Sequence, residues 1–146
     1  MLIELIQKKD IPNIEICGSK SLPIYYSQSD LTHLLYDKKF IIYKAVINDI
    51  LSGFIVGEIH DNRIHIMSLA TDPAYRRKNI GTKLINKIKE EFKNFIITLY
   101  VQQVNRIAIN FYKKNNFIAV HEEKNYYNNL EDKHAYFMAY SNYLGN

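Results

Sequence analysis

The sequence predicts an α/β (α+β) fold: a single domain over 1–146, built on a mixed, mostly antiparallel seven-stranded sheet with helices on both faces. Three observations predict it. Three successive apolar runs between 40 and 71, parted by Asn48-Asp49 and Asp61-Asn62, read as an antiparallel meander. Beyond them, helix-spaced and strand-like segments alternate up to the end of the chain. The length, 146 residues with 47% hydrophobic, suits one core and would starve two; a domain near this size buries roughly 68–70% of its unfolded surface.

Each element has a local reason. Ile3–Gln7 alternates weakly and reads as a first strand. Pro12 fits the first turn of a helix, where its missing N–H is unpaired in any case; Ile11, Ile14 and Ile16 give that helix an apolar side, and Gly18 lies near its end. Ser21 to Tyr26 forms an apolar loop, an unusual thing to leave in water, and Ser27 or Ser29 caps a second short helix through Tyr36. The meander is Phe40–Ile47, Ile50–His60 and Arg63–Thr71. Ile80, Leu84, Ile85, Ile88 and Phe92 then mark a helix from Ile80 to about Lys93. Phe95–Val101 follows as a buried strand and Asn105–Asn115 as a helix; Phe117–Asn125 and Ala135–Tyr140 close the chain as strands.

Composition excludes several classes. With 5 Gly and 3 Pro the chain is neither collagenous nor disordered. No run approaches about 18 apolar residues, so no membrane span is expected. The start, Met1-Leu2-Ile3-Glu4, carries an early carboxylate and lacks the basic start and long apolar stretch of a signal peptide. The single cysteine, Cys17, makes neither an internal disulfide nor a zinc site, which fits a reducing, cytoplasmic location. The net charge of +4 is spread along the chain with abundant Lys and Asn; it reads as a solvated basic surface, not nucleic-acid specificity, yet still helps a phosphate-rich ligand arrive.

The most informative stretch is Asp72-Pro73-Ala74-Tyr75-Arg76-Arg77-Lys78-Asn79-Ile80-Gly81-Thr82-Lys83-Leu84. Lying between a strand and an amphipathic helix, it offers free backbone N–H groups and the helix dipole to a pyrophosphate. Arg76, Arg77 and Lys78 supply cationic partners. A side chain at Gly81 is expected to hold the phosphates off the main chain. The alternative is a basic turn that merely solubilises the helix.

This stretch resembles motif A of the GCN5-related acetyltransferases, Arg/Gln-x-x-Gly-x-Gly/Ala, as Arg76-x-x-Asn79-x-Gly81-Thr82. Asn79 replaces the first glycine and is the residue that best tolerates a left-handed backbone after Gly. Asn105-Arg106-Ile107-Ala108-Ile109-Asn110-Phe111-Tyr112-Lys113-Lys114-Asn115-Asn116-Phe117 is similar to the superfamily's Asn-x-x-Ala-x-x-Phe-Tyr-x-x-x-Gly-Phe helix, with Asn116 where a glycine stands. The resemblance implies acetyl-CoA as cosubstrate and no metal. It places Leu69, Ala70, Thr71, Arg76, Arg77, Lys78, Asn79, Ile80, Gly81 and Thr82 along the cofactor. Asn105 would touch its pantetheine arm, and Tyr112 would stand beside the thioester sulfur.

A narrower resemblance covers Leu22–Tyr26, Ile66–Leu69, Tyr75–Arg77 with Ile80–Lys83, Tyr100–Gln102 and Lys124–Tyr127. These look like the catalytic subunit of the NatE N-terminal acetyltransferases, which acetylate the α-amino group of proteins, preferring an initiator Met. The bacterial ribosomal-protein acetyltransferases share the Asn-Tyr-Tyr element. The resemblance implies a groove in which Leu22, Pro23, Ile24, Met67, Tyr126, Tyr127 and Leu130 hold the first side chain while Tyr26 bonds the peptide backbone. It also implies protein N-termini as substrate, with an auxiliary subunit and the ribosome as partners.

The chemistry needs a neutral amine, a polarised carbonyl and a stabilised leaving thiolate. An α-amine titrates near about 7.7–8.0, against about 10.4 for lysine, so a weak base suffices. A backbone N–H near Leu69 is expected to polarise the carbonyl, and Tyr112 to bond the departing sulfur. The family normally has Tyr and His at two facing strand positions that act through a water. Here they are exchanged, as His65 and Tyr100, and His65 is expected to be the base with Tyr100 its partner. His33, His60, His121 and His134 show no partner pattern and read as surface or packing residues. Two other readings stand: an acetyltransferase for lysine, polyamine or another small amine, which an acidic cleft would favour although nothing acidic is expected in the two loops; and a non-catalytic acetyl-CoA-binding subunit of a larger complex.

Overall fold

In the computed structural model, which describes residues 1–142, apolar alternation and turn chemistry build a seven-stranded sheet in the order β1-β2-β3-β4-β5-β7-β6. Its strands are β1 (Leu2–Leu5), β2 (Phe40–Ile47), β3 (Ile50–Ile59), β4 (Arg63–Thr71), β5 (Ile96–Gln102), β6 (Ile118–Glu123) and β7 (Ala135–Tyr140). The helices are α1 (Ile11–Ser21), α2 (Gln28–Leu35), α3 (Ile80–Glu91) and α4 (Arg106–Lys114). The α/β class, the strand count and the placing of every element follow the sequence expectation to within a few residues at the ends. The expected domain also included residues 143–146, which lie outside the described residues.

Successive strand residues face opposite sides, so the meander feeds two cores. Tyr43, Ala45, Ile55, Ile64 and Ile66 point towards α3, whose Ile80, Leu84, Ile85 and Ile88 form its buried stripe. Partly buried Ala108, Ile109, Phe111 and Tyr112 of α4 pack on the same core. Ile42, Phe54, Val56 and Ala70 point the other way, onto Ile11, Ile14 and Cys17 of α1 and Leu31 of α2. Pro12 sits in the first turn of α1 as expected. Ser27, not Ser29, caps α2: its hydroxyl accepts from the Asp30 N–H at 3.1 Å, while the Asp30 carboxylate accepts from the Ser27 N–H at 3.2 Å. At the first hairpin Asn48 and Asp49 both take positive φ, 49° and 65°, the twist a two-residue hairpin requires.

Two irregularities shape the rest. Val56 pairs with Ser68 but Gly57 pairs with Ile66, so Met67 is an extra residue bulging from β4. The one parallel pair, β4 with β5, runs only from Arg63–Ile66 against Ile96–Leu99. Past that point the two strands part. Among the described residues no helix is long and apolar enough to cross a membrane.

Candidate active site

The parting of β4 and β5 opens a cavity of about 480 Å³. Its two inner walls are the strand ends that no longer pair with each other, Met67, Ser68 and Leu69 on one side and Tyr100, Val101 and Gln102 on the other. Main-chain groups along β4 beyond Ile66 have no β5 partner, which leaves polar backbone facing a cleft. The loop from Leu22 to Tyr26 and the residues Tyr127 and Leu130 close the sides. Asn105, Ala108 and Tyr112 of the α4 region line the far end.

Both loop walls are tied down by their own bonds. The Ser21 hydroxyl at the end of α1 lies 2.8 Å from the carbonyls of both Cys17 and Thr71, fixing the helix to the end of β4. Across the cavity, the Gln102 side-chain amide donates to the Asp132 carbonyl at 2.7 Å, and Gln103 N–H donates to the His134 carbonyl at 2.9 Å. Asn125 N–H donates to His134 Nδ1 at 3.1 Å and Tyr127 N–H to the Lys133 carbonyl at 3.0 Å. His134 is therefore partnered, as are His60, against Glu58 at 2.9 Å, and His121, stacked on Phe137. These contacts are structural, in keeping with the expectation that the three are surface or packing residues.

Of the residues expected to hold an acyl acceptor, Leu22, Pro23, Ile24, Tyr26, Met67, Tyr127 and Leu130 line the cavity. Tyr126 does not; it stacks face to face on Tyr100, ring centres 4.0 Å apart, and meets Tyr127 edge-on at 4.8 Å. Tyr100 lines the cavity and His65 stands behind it, with ring centres 5.4 Å apart and edge-on. His65 Nδ1 lies 2.7 Å from Thr98 Oγ1, its direct neighbour in the parallel register. Thr98 is buried and was not foreseen, because the offset of a parallel pair cannot be read until the crossover is seen. Burial first, then the Arg63 charge, pushes the His65 imidazole below its ordinary value despite the opposing pull of Glu58. At neutral pH the ring is uncharged.

Tyr112 is pushed far up by burial, with Tyr127 adding to the shift, so its phenol keeps its proton at any working pH. Burial also raises Tyr127, to about 12, with Tyr126 adding to the shift. Asn105 caps α4 through Oδ1, which accepts from Ala108 N–H at 3.1 Å, leaving its amide NH₂ for the cavity.

The basic loop lies outside the cavity lining, at the start of α3, with Arg76, Arg77, Lys78 and Asn79 exposed. Asn79 takes the left-handed conformation expected of it, φ 58°, and its side chain makes no capping bond. Arg77 is left-handed too, φ 69°. An uncapped helix start of this kind leaves its first N–H groups turned outward for an anion. Asn116 is also left-handed, φ 70°, as a glycine substitute should be.

Three structural details bear on the expected site. Ala70 and Ile80 are only 2% exposed and their side chains belong to the two cores, so they offer a ligand only main chain. A side chain at Gly81 would meet not open ligand space but the Phe111 ring, with Cζ at 2.9 Å from an ideal Cβ. Gly81 thus admits Phe111 of α4 against α3. Finally, the cavity is not free of acid: Asp30, on the first turn of α2, lines it.

The acetyltransferase (GNAT) family matches residues 9–117. An N-alpha-acetyltransferase 50 from Danio rerio is 35% identical over 104 residues, covering 64% of this chain and 61% of that protein. The chain thus spans less than two thirds of that relative's length. An N-alpha-acetyltransferase from Saccharolobus solfataricus is 30% identical over 146 residues, covering 89% of this chain and 86% of its own. Among solved structures, Arabidopsis thaliana Naa50 in complex with the bisubstrate analogue CoA-Ac-MVNAL superposes with a TM-score of 0.80, at 26% identity, over 96% of this chain and 97% of that one.

Proposed function

The chain belongs to the acetyltransferase (GNAT) family, and from that premise we propose that it moves the acetyl group of acetyl-CoA onto the α-amine of protein N-termini, Met-starting ones foremost. The observation that carries this reading is the cleft where β4 and β5 part, closed by apolar loops and reached by Tyr112. Relatives named N-alpha-acetyltransferases support it, as does the structural neighbour whose bound analogue joins CoA to a Met-starting peptide.

The residues present fit the cosubstrate. The uncapped start of α3, with Arg76, Arg77 and Lys78 beside it, suits a pyrophosphate. The amide of Asn105 suits a pantetheine arm. Acetyl-CoA supplies an activated acyl group as a thioester.

The protein does the rest. Leu22, Pro23, Ile24, Met67 and Leu130 take up an apolar first side chain, and Tyr26 bonds the peptide main chain. The backbone near Leu69, which has no β5 partner, polarises the carbonyl. We assign His65 the tautomer in which Nδ1–H donates to Thr98, leaving Nε2 to take the amine's proton through a water ordered by Tyr100. Tyr112 donates its O–H towards the departing sulfur. An auxiliary subunit and the ribosome remain part of this reading as partners.

The test is thiol release from acetyl-CoA with short Met-starting peptides, alongside spermidine and a histone-tail peptide. Release with the Met peptides alone is expected; release with none would leave only a coenzyme-binding role.

A further inference from the structure

Asp30 is the sole charged side chain among the described residues that line the cavity. The other lining residues are apolar, or neutral polar groups such as Ser68, Gln102 and Asn105. Asp30 has no ion-pair partner among the described residues. One of its oxygens accepts the Ser27 N–H at 3.2 Å, which orients the carboxylate without neutralising it. Lying one turn beyond Tyr26 and exposed, it sits at the rim of the cavity and not at its floor.

Glu58 of β3, opposite His65 in the sheet, holds His60 at 2.9 Å. Burial raises the Tyr26 phenol most, and the charges of Asp30 and Glu58 raise it further. No cation among the described residues lines the cavity.

Resting on the function proposed above, we propose that Asp30 is a specificity residue that selects peptides with a cationic side chain shortly after the acetylated residue. A peptide entering amine-first puts its first side chain among the apolar residues of the two loops and its next ones at the rim. There a lysine or arginine meets an unpaired carboxylate, whereas a glutamate meets like charge. The apolar floor and the acidic rim thus read different residues of one substrate.

The size follows from exposure. A solvent-facing ion pair contributes little, so a gain of about two- to five-fold in kcat/KM is expected for lysine over glutamine, and a comparable loss for glutamate. Salt should shrink both, since the Debye length falls to about 3 Å at 1 M.

The experiment compares peptides beginning Met-Lys-Ala, Met-Gln-Ala, Met-Glu-Ala and Met-Ala-Lys, with spermidine alongside, on the wild type and on Asp30→Asn. Asparagine keeps an oxygen to accept the Ser27 N–H, and the Ser27 cap itself is untouched, so the helix start survives. Lysine preferred at the second or third position at low salt, with the preference lost in Asp30→Asn, is the result expected. Equal rates for the four peptides, or a preference that persists in Asp30→Asn, would overturn the role of Asp30 while leaving α-amine acetylation standing. Transfer to spermidine in preference to any peptide, or silence with every acceptor, would overturn both.

Discussion

Replacing His65 by alanine tests the proposed chemistry most directly. The imidazole is held by Thr98 at 2.7 Å and backs onto Tyr100, so its loss removes the base without emptying the apolar loops. A positioned general base contributes about 10²- to 10⁴-fold, or about 2.7 to 5.4 kcal/mol at 1.36 kcal/mol per decade. The fall should appear in kcat, with coenzyme affinity little changed. The pH profile sharpens the test. In wild type, kcat/KM should fall about one decade per pH unit below the substrate amine's value of about 7.7–8.0. Because His65 titrates below 6.5, the slope should steepen towards two decades per unit only under that value. His65→Ala should keep a slope of one. Folding must be checked in parallel: with its folded value depressed, His65 contributes stability that is present above pH 6.5 and lost as pH falls through the folded value. A thermal melt at each pH settles whether the chain is intact. Wild-type turnover in His65→Ala with the fold intact would refute the assignment.

Tyr112→Phe should lower kcat by about 10²-fold, the scale of one lost donor to developing charge, and the wild type should show no alkaline loss from this phenol. Stopped assays with a thiol reagent read both. Gly81→Ala drives a methyl against Phe111 and should destabilise by about 1–3 kcal/mol. Phe111→Leu should relieve it in urea melts, and a coenzyme-affinity loss that Phe111→Leu fails to relieve would restore the phosphate-clearance reading. Asp10→Ala strands Lys44, buried with it at 2.9 Å. The cost should approach the lower end of about 3–5 kcal/mol, because Glu4 at 3.6 Å remains as a second partner. Equilibrium unfolding of Asp10→Ala measures it.

Much of this was legible before the structure. The helix of Ile80, Leu84, Ile85 and Ile88 shows its stripe in the sequence, and the left-handed Asn79 and Asn116 follow from asparagine standing where motifs have glycine. What stayed hidden depends on placement between elements. Thr98 beside His65 needs the β4–β5 offset, which a crossover through α3 sets. Asp30 carries no signal in the sequence; that it faces the cavity depends on how α2 lies on the sheet. Gly81 looked like ligand clearance because the ring that fills the space comes from a helix some thirty residues on, about the length of a βαβ unit.

The strand order has a consequence for how the molecule comes to exist. β7, the final strand, is wedged between β5 and β6 and pairs with both. During synthesis the amino-terminal meander can close early from local contacts, but the far border of β5 stays a bare edge until 135–140 have emerged. A chain cut short before Ala135 would present that edge, with Ile97, Leu99 and Val101 beside it, to any neighbouring chain. Late truncations should therefore yield insoluble material instead of a weakened enzyme.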